Sequence, residues 1–334
     1  MFPWPGVGSQ QAPNRIMPAL VQRFRLQRPM EGLNIPTEIS NGILAVHGDL
    51  AQQWLEELPN LVAALCDRWE VQLGPERWGA ISLVIPGIRH GVPVALKLVP
   101  KNWLSRREIH ALRFWNGRGA VQVLEHDDEA SALLLERLIP GKELAELFEE
   151  DRDAESTELA CDVIRSIPKE LPTEIGDWNT AEGRCSELQG LRRRFNGSTG
   201  PFPTPIFERA EKIFKELVES QRSKILVHAD LHQYNILSAQ RSPWLAIDPH
   251  GLIAEPEYEV GAILRNPDGL ASHPDCAAIS KRRVDQMCDL LGYHRERIIG
   301  WGMCQAVLAA WWSLEDYGKD FENDLRIAEI FSEM

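Results

Sequence analysis

The segment 226–251, LVHADLHQYNILSAQRSPWLAIDPHG, concentrates side chains able to do chemistry. His228, Asp230 and Asn235 stand in the spacing H-x-D-x-x-x-x-N, and Asp248 follows Asn235 by 13 residues. Two apolar runs, 236–237 and 244–247, lie between Asn235 and Asp248. That pattern predicts a hairpin whose ends bring an amide and a carboxylate to one spot. Both are hard oxygen donors, the kind Mg²⁺ takes together with waters and phosphate oxygens. A second carboxylate beside them, Asp230, would orient an acceptor hydroxyl and take its proton. The predicted chemistry is phosphoryl transfer from ATP. Asp230 is its base, Asn235 and Asp248 are its metal ligands, and His228 braces the loop.

This is the spacing of kinase catalytic loops, and such loops need further parts. One is a strand lysine for the α- and β-phosphates, held by a helix glutamate. Lys97 stands alone inside the apolar run Val94-Ala95-Leu96-Lys97-Leu98-Val99, where its charge must be paired or reach water. Glu108, on the next predicted helix, is its expected partner. A second part is a connector that offers backbone groups to adenine. LLLERLIPG, 133–141, is a buried strand running into a turn, with the Glu136 carbonyl and the Leu138 amide as candidates. A third part is weak. Gly79 and Ser82 stand where a glycine-rich phosphate turn belongs, but one glycine makes no such turn.

The elements that must hold these residues follow from periodicity. An apolar stripe at three- and four-residue steps predicts a helix over 49–69. Strands are expected over 80–85 and 92–99 with a turn at 87–91, then a helix over 105–115 capped by Ser105. Two more strands are expected over 120–124 and 132–138, joined by an acidic turn at 125–129. From there the pattern is helical, over 144–148, 155–167, 207–219 and 280–316, with one β interlude at 225–248. The expected fold class is α+β and bilobal: a small β-rich N-lobe and a larger, mainly helical C-lobe. The expected organisation is a disordered extension over 1–34, an N-lobe over 35–138 and a C-lobe over 139–334.

Composition sets outer bounds. The chain has 334 residues, 44% hydrophobic and 25% charged, enough for two ordinary domains and unlike a fibrous or disordered protein. With 36 Lys and Arg against 49 Asp and Glu, the net charge of −13 argues against a nucleic-acid partner, since phosphate contacts need cations. The six cysteines form no C-x-x-C pair and read as free thiols of a reducing compartment. The start, MFPWPGVGSQQAP, lacks the basic and apolar regions of a secretory signal, so the cytoplasm is the expected location. The uncharged stretch 298–314 is shorter than the about 20 apolar residues of a membrane span and reads as a buried helix, with no membrane partner.

The run 114–121 (FWNGRGAV), with LLLERLIPG, HADLHQYNIL, AIDPHGLIAEP and AVLAAWWSLED, resembles the aminoglycoside/hydroxyurea phosphotransferase family, which includes streptomycin 6-kinases. The resemblance runs from about residue 35 to about residue 317. It implies a protein-kinase-like fold and ATP-dependent phosphorylation of a small-molecule hydroxyl, on an aminoglycoside or related antibiotic. It carries over Asp230 as base, Asn235 and Asp248 as magnesium ligands and Lys97 as the phosphate lysine. Where relatives tend to read Asp-Pro-x-Tyr-Asp, this chain has Glu255-Pro256-Glu257-Tyr258-Glu259. Glu259 is then a second brace of the catalytic loop. For a cationic substrate the candidates are Glu255, Glu257, Glu315 and Asp316, with Trp311 or Trp312 as a stacking wall.

Three alternatives stay open at the level of sequence. His228, Asp230, His232, Asp248 and His250 have the chemistry of a metal-dependent hydrolase. A nucleotide-binding module without turnover is a second, and a kinase of a sugar or amino alcohol a third.

Overall fold

Lys97 lies on a strand that the sequence builds by alternation. In the computed structural model, which describes residues 36–37, 40–41, 43–44, 49–74, 77–78, 82–100, 103–173 and 177–334, β4 (Val92–Leu98) pairs antiparallel with β3 (Leu83–Arg89). Lys97 stands opposite Val84 and is buried, as are Leu96 and Leu98 on either side of it. The turn is His90-Gly91, both at positive φ, as a two-residue hairpin requires. The expected turn at 87–91 therefore begins too early. β3 continues through Pro86 and Gly87, where a Cβ would stand 2.8 Å from Val71 and 2.9 Å from the Gln72 carbonyl, so only glycine fits the pairing with β1 (Val71–Leu73). Gly79 and the expected start of this strand at residue 80 lie outside the described residues, as does the extension 1–34.

The sheet runs β1-β3-β4-β6-β5, with β2 (Arg77–Trp78) on β3, β5 as Val123–Asp127 and β6 as Ala132–Glu136. β5 takes up most of the acidic stretch expected as a turn. The reason is that Asp127 stays buried, capping the backbone of Glu129 and Ala130 and pairing with Arg68 at 2.7 Å. Helix α1 (Asp49–Trp69) lays Trp54, Leu58, Val62 and Leu65 against Leu83, Ile85, Leu96 and Leu134. That stripe gives the small unit its core.

The chain divides into two compact units. The first ends at Lys101 and adds Glu125–Leu134; the second is Asn102–Leu124 with Leu135–Met334. Helix α2 (Trp103–Trp115) thus belongs to the second unit, although the sequence reading kept everything to residue 138 in the first. The reason is packing: Trp115 stacks on His228 with ring centroids 6.1 Å apart, and Ala120 bridges Ala246. α2 begins two residues before Ser105, so Ser105 is inside the helix and does not cap it.

The second unit holds a two-stranded hairpin, β9 (Ile236–Ser238) with β10 (Trp244–Ala246), and a small sheet β7-β11-β8 made of Asn179–Thr180, Leu252–Ala254 and Ile225–Val227. Its centre is the helix Arg295–Asp316, which contains the uncharged stretch 298–314 and is buried along most of its length. Gly300 lets Leu217 approach, and Gly302 lets Leu264 and Phe331 approach. No helix among the described residues is long and apolar enough to cross a membrane.

Candidate active site

The loop between β8 and β9 carries the sequence motif, and backbone bonds hold both of its ends. β8 pairs antiparallel with β11, and the amides of His250 and Gly251 donate to the His228 carbonyl at 2.9 and 3.3 Å. Ala229 and Asp248 both adopt positive φ, 67° and 58°, a region that residues with a side chain enter only when surroundings over-determine it. The surroundings here are specific. Glu259, on the turn of 3₁₀ helix Pro256–Val260, accepts from the His228 amide at 2.7 Å and the Ala229 amide at 3.1 Å. Burial pushes its carboxyl up to about 7, against the pull of those two amides.

His228 is wholly buried. Its Nδ1 accepts from the Asp230 amide at 3.3 Å and its Nε2 donates to the Ile247 carbonyl at 2.7 Å. Burial pushes it down to about 4, so the ring is neutral and its bonds assign the proton to Nε2. Both ring nitrogens are engaged with backbone, so His228 has no lone pair for a metal. No group of three or more His, Cys, Asp or Glu among the described residues is placed to hold a metal ion. The metal-dependent hydrolase reading on His228, Asp230, His232, Asp248 and His250 is therefore not supported.

Asp230 is ringed by cationic and donor groups. Its Oδ2 lies 3.5 Å from Nε2 of His232 and 3.5 Å from Nε2 of His250, and its Oδ1 lies 3.5 Å from Arg265. Burial alone raises this carboxyl. His250, the His232 hydrogen bond and Arg265 outweigh it and hold the group well below the usual carboxylate range. Asp230 is therefore ionised, as an acceptor of a hydroxyl proton must be.

The amide of Asn235 donates to the Asp230 carbonyl at 2.9 Å, which leaves its Oδ1 as the atom turned elsewhere. β9 and β10 pair in the register Ile236↔Ala246, and the Ile247 amide donates to the Asn235 carbonyl at 2.9 Å. The open end of the hairpin thus brings Asn235 and Asp248 to neighbouring backbone positions, as the spacing predicts. Their donor chemistry fits a divalent cation: one carboxylate and one amide oxygen, with water and phosphate to complete the shell.

The expected connector is bolted to this hairpin. Gly141 and Ser238 bond through N and O at 3.0 Å, and the Leu144 amide donates to Ile236 at 2.9 Å. The Glu136 carboxylate accepts from Arg241 and from the Gln122 amide at 2.8 Å, while Arg241 also reaches the carbonyls of Gly117 and Ala120. Glu136 therefore has a structural side chain, and its backbone amide donates to the Gln122 carbonyl at 3.0 Å, which leaves its carbonyl as the candidate group, with Leu138 two residues on. Lys97 is in the first unit and Glu108 in the second, and both are buried.

The substrate candidates scatter. Glu255 is buried, and its Oε1 accepts from Arg297 at 2.6 Å and from Trp301 at 2.5 Å, so it is a core ion pair and not a free anion. Trp311 is core, packed on Gly190. Trp312 is half-buried, donates to Glu187 at 3.1 Å and lies under Arg184. Glu257 is half-buried, and Glu315 and Asp316 are exposed at a helix end. Sequence reasoning missed Arg265 and Arg241 altogether. No spacing rule ties either to the loop it serves, because both contacts are tertiary.

A loop of this kind on a hairpin, in a unit with a mainly helical core, defines the class of ATP-dependent kinases with a protein-kinase-like fold. Solved structures agree on the fold. Aminoglycoside phosphotransferase APH(4)-Ia matches with TM-score 0.58 at 16% identity, covering 84% of this chain and 98% of that one. A choline/ethanolamine kinase family protein from Mesorhizobium loti matches with TM-score 0.57 at 14% identity, covering 78% and 87%. The chain belongs to the aminoglycoside/hydroxyurea antibiotic resistance kinase family, which it matches over residues 68–317. It is 32% identical to the streptomycin 6-kinase of Streptomyces glaucescens, across 85% of this chain and 92% of that protein. It is also 32% identical to the hydroxyurea phosphotransferase of Kitasatospora aureofaciens, across 92% and 88%. The protein is thus a phosphotransferase with a hydroxyl acceptor.

Proposed function

We propose that this kinase transfers the γ-phosphate of ATP to a hydroxyl of streptomycin or a closely related aminocyclitol antibiotic, with Mg²⁺. The observation that carries the site is Asp230. It is an ionised carboxylate on a doubly braced loop, next to the amide whose oxygen is left for a cation. Asp230 orients the acceptor hydroxyl and takes its proton. Asp248 and the Asn235 Oδ1 hold the metal, which when bound neutralises phosphate charge. Lys97 meets the α- and β-phosphates, with Glu108 as the residue that holds it, and the backbone of Glu136 and Leu138 meets adenine. His228 and Glu259 hold the loop and touch no reactant. Glu257, Glu315 and Asp316 are the remaining acids for a cationic acceptor. Six free thiols support a cytoplasmic enzyme.

A second acceptor has a specific reason. The hydroxyurea phosphotransferase covers more of this chain than the streptomycin kinase does, at the same identity. The test is one panel: purified protein with MgATP, offered streptomycin, other aminocyclitols, hydroxyurea and choline, with phosphorylated product read by mass spectrometry. Product from streptomycin that disappears in Asp230→Ala, with ATP binding kept, supports the reading. Product from hydroxyurea alone moves the acceptor to that class. Turnover in Asp230→Ala would remove Asp230 from its role.

A further inference from the structure

We propose that Arg265 is the positioning residue for Asp230, and that Asp324 on the last helix holds Arg265 to that task. The inference rests on the kinase reading of Asp230 and goes beyond it, since neither Arg265 nor Asp324 belongs to the loop motif.

Asp230 has two oxygens with different neighbours. Oδ2 faces two imidazoles and, at 3.4 Å, the Asn235 amide. Oδ1 faces the NH2 group of Arg265 at 3.5 Å. The other terminal nitrogen of Arg265, NH1, lies 3.9 Å from Asp324. The guanidinium is thus a planar bridge between the catalytic carboxylate and a second carboxylate 94 residues further on. A carboxylate turns freely about its last bond unless both oxygens are engaged, and a charged donor on Oδ1 beside the groups on Oδ2 restricts that angle.

The backbone under Arg265 is anchored as a positioning device needs to be. Arg265 ends the short helix Gly261–Arg265, and the carbonyls of Ile263 and Asn266 on either side of it are gripped twice. Gln233, inside the catalytic loop, donates to both, at 3.3 and 3.1 Å. Arg283, fully buried, donates to the same two carbonyls at 2.8 and 2.5 Å while its other nitrogens pair with Asp153. The loop that carries Asp230 and the turn that carries Arg265 are therefore tied to each other by Gln233 and to the helical core by Arg283. Asp324 sits on the helix Glu322–Ser332, beyond the residues that match the family. Its carboxyl is raised by burial, and Arg265 is the cation that opposes this.

The experiment compares Arg265→Ala, Arg265→Lys and Asp324→Asn with the parent enzyme and with Asp230→Ala, using the acceptor that turns over. We expect Arg265→Ala to lose about 10²-fold in kcat, the scale of an ångström-sized misplacement of a reacting group. ATP affinity should stay within about twofold, because the guanidinium of Arg265 pairs with Asp230 and Asp324 and with no residue assigned to the nucleotide. Arg265→Lys should recover part of the loss, and added guanidinium ion should raise the turnover of Arg265→Ala, which repair of packing would not do. Asp324→Asn should lower kcat several-fold in the same pattern. An Arg265→Ala enzyme with kcat within about threefold of the parent, or one whose ATP affinity falls in step with kcat, overturns the proposal. Should that variant fail to fold, Asp324→Asn decides alone: unchanged kcat overturns, reduced kcat at unchanged ATP affinity supports. Turnover in Asp230→Ala would instead strike at the kinase reading itself, so the two failures are distinct.

Discussion

Two carboxylates serve one loop, half-buried Asp230 and buried Glu259, and their surroundings drive them in opposite directions. Asp230, on the loop, is surrounded by Arg265, His232 and His250, and its carboxyl is held low. Glu259 accepts from the amides of His228 and Ala229, and burial lifts it to about 7. Two backbone dipoles do not offset the loss of water around a full charge; a guanidinium and two imidazole donors do. The difference separates a group kept ionised for chemistry from one kept as a hydrogen-bond acceptor for architecture.

The largest expected effect is on the chemical side of this comparison. Asp230→Asn should reduce transfer by at least about 10³-fold, with ATP affinity close to the parent, checked by steady-state kinetics and calorimetry. Next comes the core ion pair that the sequence offered as a substrate contact. Glu255→Ala strands Arg297 and should cost about 3 kcal/mol of stability by chemical denaturation, with acceptor KM unchanged. Glu259→Gln follows, at about 2 kcal/mol, because one of the two amides loses its acceptor.

That variant also tests the sign. Folded Glu259 keeps its proton to about pH 7, whereas the unfolded chain releases it near 4.5, so this group makes stability fall as pH rises between those values. Asp230 acts oppositely: its stabilisation is present above the ordinary carboxylate range and is lost as pH falls through its lowered folded value. Stability curves of parent and Glu259→Gln should therefore converge or cross within pH 4.5 to 7 and run parallel above it. Curves parallel throughout that window would remove the contrast. The smallest effect is expected at the rim. Glu315→Gln with Asp316→Asn should raise KM for a cationic acceptor by a few-fold, reduced by added salt, with kcat unchanged.

What could be read in advance follows from how local each signal is. The spacing from His228 to Asp248 was legible because a hairpin is a local object: thirteen residues with two apolar runs can return only one way. The buried place of Lys97 on a strand was legible because a charge inside an apolar run is conspicuous. Glu259 was legible as a brace only with the family resemblance. Glu255 was misread, although it lies four residues away, because an acid on an exposed turn and an acid paired with Arg297 look alike in one dimension. The strand register around Gly87 and the extent of β5 were shifted for the same reason: a glycine and an acidic run mark turns only when no neighbouring strand needs them.

The residues by themselves therefore determined the class of chemistry, since oxygen donors at fixed local spacing leave few other uses. Which side chains tune that chemistry was decided by tertiary structure alone. Arg265 reaches Asp230 from 35 residues away, Asp324 reaches Arg265 from 59 residues beyond that, and His250 returns to Asp230 across a hairpin. Charges act through space at a few ångströms, and no pattern along a chain records which distant residues packing will bring that close.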